Sequence, residues 1–159
     1  MAKLFVGIDP GCSGAIVVIN EHGAYISHLS MPTVKVGTKA RVNGAMVATF
    51  LLQYRGVIAH AYLEQVGAMP GQGVSSMFTF GHAAGNVEGI LQGMFLPYSL
   101  VTPQAWKKST GLIGSDKDAA RSRAIQLYPS LRILDQKAKG QAVADALLIA
   151  RHGIGANHG

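Results

Sequence analysis

The chain has 159 residues, 48% of them hydrophobic, with 20 glycines and a formal charge of +6 from fourteen Lys and Arg against eight Asp and Glu. That length and apolar content suit one globular domain across residues 1–159 with a sizeable core. The absence of an apolar run near ~20 residues and of a signal-peptide layout argues against a membrane partner and for a cytoplasmic protein, while a single cysteine, Cys12, excludes an internal disulfide and a multi-cysteine zinc site.

In chain order, residues 4–8 read as a buried strand, Pro10-Gly11 as a turn, 14–19 as a second strand, Glu21-His22-Gly23 as a turn and 24–29 as a third strand. Together they predict an antiparallel meander. Residues 31–43 are polar, rich in turn formers, and read as a long loop carrying Lys35, Lys39 and Arg41. Helix-spaced Met46, Val47, Phe50 and Leu51 predict a helix over 44–54, and 57–63 follows as a buried strand. Gly67, Pro70, Gly71 and Gly73 break regular structure and predict an exposed loop over 66–74. Beyond it, 75–94 reads as a helix with Gly81, Gly85, Gly89 and Gly93 at four-residue spacing. That flat strip is expected to pack the helix tightly on the sheet, with a dimer contact as the alternative.

A fifth strand is predicted over 97–102 and a short helical turn over 103–108, holding the only Trp. Ser115 and Asp118 have the spacing of a capping box that opens a helix over 117–128. A loop rich in Lys and Arg then leads to a final helix over 141–152. Meander first and crossovers after, the order predicts a ribonuclease H-like α/β fold: a five-stranded mixed sheet flanked by helices.

Three acids sit where solvent-facing acids do not belong. Asp9 ends the run Leu4-Phe5-Val6-Gly7-Ile8, Glu64 follows Ala61-Tyr62-Leu63, and Asp145 lies inside Val143-Ala144-Asp145-Ala146-Leu147-Leu148-Ile149. An uncompensated carboxylate against apolar structure costs several kcal/mol or takes up a proton. Singly, Asp9 reads also as a turn former, Glu64 as an Arg partner and Asp145 as an acceptor from a loop. Jointly, in this order of elements, they point to oxygen ligands for Mg²⁺ or Mn²⁺ in a nuclease or phosphoryl-transfer site. The surplus of cationic residues fits a nucleic-acid partner.

Four segments carry a resemblance: Gly7-Ile8-Asp9-Pro10-Gly11-Cys12-Ser13-Gly14-Ala15, Tyr62-Leu63-Glu64-Gln65, Gly114-Ser115-Asp116-Lys117-Asp118-Ala119-Ala120-Arg121 and Ala144-Asp145-Ala146-Leu147-Leu148-Ile149-Ala150. Together they resemble the RuvC family of Holliday junction resolvases, most closely its bacteriophage and plant-organelle branch, in which residues 69–78 and 102–107 also have counterparts. The resemblance implies a homodimer that holds a four-way DNA junction and makes paired, symmetric incisions with Mg²⁺ or Mn²⁺, in a bacterium, a phage-infected cell or an organelle. It implies Asp9, Glu64 and Asp145 as metal ligands and Lys117 as a basic catalytic residue near the cleaved phosphate. The family's fourth ligand, an acid or His three to five residues before the last acid, is replaced here by Gly140, Gln141 and Ala142. Gln141 as a weak ligand, completion by Asp135 or His152, and a chain with impaired cleavage all stay open.

Candidate DNA contacts by charge and aromatic placement are Lys35, Lys39, Arg41, Lys107, Lys108 and Arg121, with Gln72, Ser75, Ser76 and Phe78 as readers of junction shape. Two other readings are a nuclease acting on RNA–DNA hybrids and a junction-binding protein without catalysis. An actin-like kinase needs a duplicated domain that this length does not hold.

Overall fold

The computed structural model describes residues 2–158 and contains two sheets. In the larger, β1 (Leu4–Asp9) pairs antiparallel with β2 (Ala15–Asn20), which pairs antiparallel with β3 (Tyr25–Ser30). On the other side of β1 lie β6 (Ile58–Glu64) and β7 (Tyr98–Val101), both parallel to it, so the order across the sheet is β3-β2-β1-β6-β7. This is the predicted mixed sheet with its meander and crossovers.

Strands β1 and β2 read as unbroken apolar runs because both of their faces are covered. Phe5, Val17, Ile19 and Tyr62 pack under the long helix α5 (Lys137–His158). Val6, Ile8, Ile16, Val18 and Leu63 point the other way, under α1 (Gly44–Leu52) and α2 (Val74–Gly93). Helix α3 (Pro103–Ser109) follows β7, and α4 (Lys117–Leu127) leads through a 3-10 turn, Arg132–Asp135, into α5.

Four expectations need correction. Residues 31–43 are not a loop: β4 (Thr33–Val36) and β5 (Lys39–Val42) form a hairpin whose turn opens on Gly37 at φ 64. A two-residue connection beginning with glycine at positive φ suits the twist of a hairpin. The glycine strip of α2 does not face the sheet, since a methyl group at Gly81, Gly85, Gly89 or Gly93 would meet nothing within 4 Å. Ala83, Val87 and Leu91, two residues out of phase and so on the opposite side of the helix, are the ones that pack inward. The cap of α4 is Asp116, which accepts from the Ala119 amide at 3.1 Å, rather than Ser115, and Asp118 pairs instead with Arg121 at 3.7 Å. Helix α5 starts four residues before the expected boundary and continues past residue 152.

Candidate metal and nucleic-acid site

Register brings the first two acids together. Ile8 lies opposite Leu63 on adjacent parallel strands, so Asp9 and Glu64 are the next residues at the same edge of the sheet. Side chains alternate along a strand, and Asp9 shares its face with Phe5 as Glu64 does with Tyr62. That face is the one covered by α5. A methyl group at Gly7 would collide with the carbonyl oxygen of Ala146, so only glycine lets the α5 backbone lie directly on β1. The same close approach brings Asp145, one residue earlier on α5, within electrostatic reach of Asp9 and Glu64.

The three carboxyls disturb one another. Burial, reinforced by the charge of Asp9 and of Glu64, pushes Asp145 up to about 7, against a hydrogen bond from Gln141 and the charge of Lys107. Burial and the neighbouring Glu64 push Asp9 up to about 6. Glu64 is raised chiefly by burial, opposed by the Trp106 indole and Lys107. The donors that touch them are neutral: Trp106 Nε1 donates to Glu64 Oε2 at 2.7 Å, Gln141 Nε2 to Asp145 Oδ1 at 3.0 Å, and the Gly11 amide to Asp9 Oδ1 at 3.5 Å. Among the described residues the ion pairs lie elsewhere, at Glu21–His22, Asp118–Arg121 and Asp135–Arg132.

Among the described residues no three His, Cys, Asp or Glu side chains are gathered closely enough to hold a metal ion by themselves. The donor set nevertheless fits a hard divalent cation. Among the described residues Gln141 Oε1 is buried without a hydrogen-bond partner, beside the amide nitrogen that engages Asp145. An orphaned buried acceptor costs about 1–3 kcal/mol, and together with three unneutralised carboxylates it makes an all-oxygen set of the kind Mg²⁺ and Mn²⁺ prefer.

A cleft of about 540 Å³ opens onto Asp9 and Glu64, lined also by Cys12, Lys39, Ser75 and Phe80 among others. One wall is the hairpin and another the start of α2. The two are fastened together: Lys39 Nζ donates to Ser75 Oγ at 3.3 Å, and the Arg41 guanidinium lies 3.2 Å from His82 Nε2 and 5.7 Å from the centre of the Phe78 ring. Phe78 remains 63% exposed, so its free face is open to a stacking partner. Ser76 lines the same cleft, and Gln72 sits in the loop just before α2, its amide bonded to the Met69 carbonyl.

Other predicted residues fall elsewhere. Lys35 is exposed on β4 and Lys108 on α3. Lys107 also lies on α3, 5.6 Å from the centre of the Trp106 ring, and its charge opposes the upward shifts of Glu64 and Asp145. Lys117, exposed at the first position of α4, has no hydrogen bond or ion pair among the described residues and does not contribute to the shifts of the acids. Arg121 is a strut rather than a surface cation: Nη1 donates to the Leu134 carbonyl at 3.1 Å and Nε faces Asp118. Neither proposed substitute for the fourth acid faces the site, since Asp135 pairs with Arg132 at 3.1 Å and His152 Nδ1 with Ser109 Oγ at 2.7 Å. Sequence reasoning missed Trp106, whose signal was a lone indole preceding Lys107 just after the strand that neighbours Glu64.

No family model matches the chain. The chloroplastic Holliday junction resolvase MOC1 of Chlamydomonas reinhardtii is 31% identical over 123 residues, which cover 76% of this chain and 14% of that protein. The chain thus spans about a seventh of the curated relative it matches. Among solved structures, RuvC of Thermus thermophilus in complex with a Holliday junction substrate superposes with TM-score 0.60 at 17% identity, covering 99% of this chain and 97% of that one. A second structure of the same RuvC gives 0.58 at 18%, with 97% and 95% covered. The chain has the RuvC fold, a ribonuclease H-like one.

Proposed function

We propose that this chain, RuvC-like in fold and similar in sequence to a Holliday junction resolvase, is a structure-selective DNA endonuclease that resolves four-way junctions by paired, metal-dependent incisions. The observation that carries this reading is the set Asp9, Glu64 and Asp145: carboxyls from two adjacent strands and one crossing helix, raised by burial and in no ion pair among the described residues, with Asp9 and Glu64 lining a cleft walled by Lys39 and Ser75.

In this reading Asp9, Glu64, Asp145 and the orphaned Gln141 Oε1 would hold Mg²⁺ or Mn²⁺. When bound, the cation supplies an activated water and charge stabilisation for the departing 3′ oxygen. The chain itself does the positioning. Lys39, held to Ser75, presents a fixed positive charge to a backbone phosphate across the cleft from the acids. Lys107 offsets part of the negative charge of Glu64 and Asp145. Phe78, with Arg41 behind it, offers an aromatic face on which a base freed at the branch point stacks. Lys117, free at the mouth of α4, is available to a phosphate of the incoming strand.

Paired incisions require two copies of the site. The open glycine strip of α2 supports a homodimer, because an exposed helix face without side chains lets a second backbone approach closely.

The test is a labelled mobile four-way junction set beside linear duplex and RNA–DNA hybrid, each with EDTA, Mg²⁺ or Mn²⁺. Symmetric cleavage of the junction alone, only with metal, supports the reading. Preferential cleavage of the hybrid replaces it with a ribonuclease H activity. A second reading, a junction-binding protein without catalysis, is favoured by Gln141 standing in for an acid. Tight binding in EDTA with no cleavage in either metal would establish it.

A further inference from the structure

We infer that Trp106 is a positioning residue for the carboxylate of Glu64: its indole N–H holds Oε2 so that Oε1 alone is presented to the cleft. The consequence for metal binding rests on the endonuclease reading; the positioning does not.

The indole contact is the only hydrogen bond to the Glu64 carboxylate among the described residues, at 2.7 Å from a side chain that is itself 2% exposed. An indole donates once, in one direction, and accepts nothing, so it fixes which oxygen is engaged. It also carries no charge. An Arg in its place would neutralise the carboxylate and compete with any cation brought to the cleft, whereas the indole orients the group and leaves its charge to be used.

Trp106 can aim because its own helix is clamped at both ends. Thr102 caps α3 by accepting from the Ala105 amide at 3.2 Å, and Pro103 occupies the first turn. At the other end the Trp106 carbonyl accepts from Ser109 Oγ at 3.1 Å and from Thr110 Oγ1 at 2.8 Å. Ser109 Oγ is also 2.7 Å from His152 Nδ1 on α5, the helix that bears Asp145. Helix α3 is therefore tied to β6 through Glu64 and to α5 through His152, the elements that bear two of the three acids. Ser109, unremarkable in the sequence, and His152, a candidate ligand there, serve in this latch.

The test uses the fact that Trp106 is the only tryptophan, so its indole N–H gives a single isolated resonance in a ¹⁵N–¹H correlation spectrum. With the full chain free of metal, Glu64→Gln shifts that resonance upfield as the charged acceptor is lost, and Mg²⁺ added to the wild type moves it as well. No response to Glu64→Gln overturns the inference, whether or not the protein proves to be a nuclease. The functional arm is Trp106→Phe, with β-(3-benzothienyl)alanine at 106 as an isostere that fills the indole volume without its N–H. The metal concentration for half-maximal junction cleavage is expected to rise about 10–100-fold, the usual cost of losing an outer-shell partner, while junction affinity in EDTA and the melting temperature of the isostere variant hold. An unchanged metal requirement, or a loss that follows junction affinity and melting temperature together, overturns the inference.

Discussion

Replacing Asp145 by Asn should stabilise the metal-free protein and, on the endonuclease reading, abolish junction cleavage. The carboxyl lies at about 7 in the folded chain against the ordinary 3.8. Each pH unit of that gap is worth about 1.4 kcal/mol, so ionising Asp145 at pH 8 costs the folded state about 4 kcal/mol as an upper bound. Asn removes the charge and still accepts from Gln141 Nε2. Because part of the cost is shared with Asp9 and Glu64, about 2 kcal/mol of net stabilisation is expected. The sign follows from proton binding. A raised carboxyl binds more protons folded than unfolded between its two values, so wild-type stability falls as pH rises from about 4 through about 7. Urea unfolding in EDTA, followed by circular dichroism, should show wild type and Asp145→Asn nearly equal at pH 4 and separated by about 2 kcal/mol at pH 8. Added Mg²⁺ should narrow the gap, since a ligand of the folded state stabilises it by mass action. A variant less stable than wild type at pH 8, or a difference independent of pH, would refute the electrostatic reasoning.

Gly7→Ala should lower stability by at least about 3 kcal/mol in a thermal melt, because the new methyl group meets the Ala146 carbonyl and the backbone of α5 must move off β1. Gln141→Asp should increase junction cleavage at limiting Mg²⁺; a variant no faster than a wild type that already cleaves rapidly would show that three acids suffice. Lys39→Ala should reduce the salt slope of junction binding by about 0.9 with stability unchanged. Arg121→Ala should instead lose about 1–2 kcal/mol of stability, through the freed Leu134 carbonyl, and leave the salt slope alone.

Asp9 and Glu64 were legible because each closes a largely buried strand that reads as an apolar run, and an acid closing such a run stands out. Asp145 was legible because residues 142–150 are small or apolar nearly throughout, as a helix pressed onto a sheet requires. The hairpin of β4 and β5 was not, since Val34 and Val36 face outward at 48% and 52% exposure and leave no buried stripe to mark the strands. The glycine strip was assigned to the wrong side because four-residue spacing marks a face of a helix without saying which face meets the core. Asp116 and Ser115 are both good caps, and only the local backbone decides between them. Arg121 looked like a surface cation because its partner, a carbonyl thirteen residues away, is set by the turn between α4 and α5. Trp106 was invisible as a partner of Glu64 because forty-two residues separate them in the chain and a parallel strand pairing joins them in space.

The central claim is that folding gathers Asp9, Glu64 and Asp145 around a shared divalent cation facing DNA. Crystals of the chain with a four-way junction, soaked in Mn²⁺, test it through anomalous scattering. The account predicts a peak about 2.0–2.2 Å from an oxygen of each acid, in contact with a backbone phosphate. A peak absent from that edge of the sheet in a protein that still cleaves the junction would contradict it.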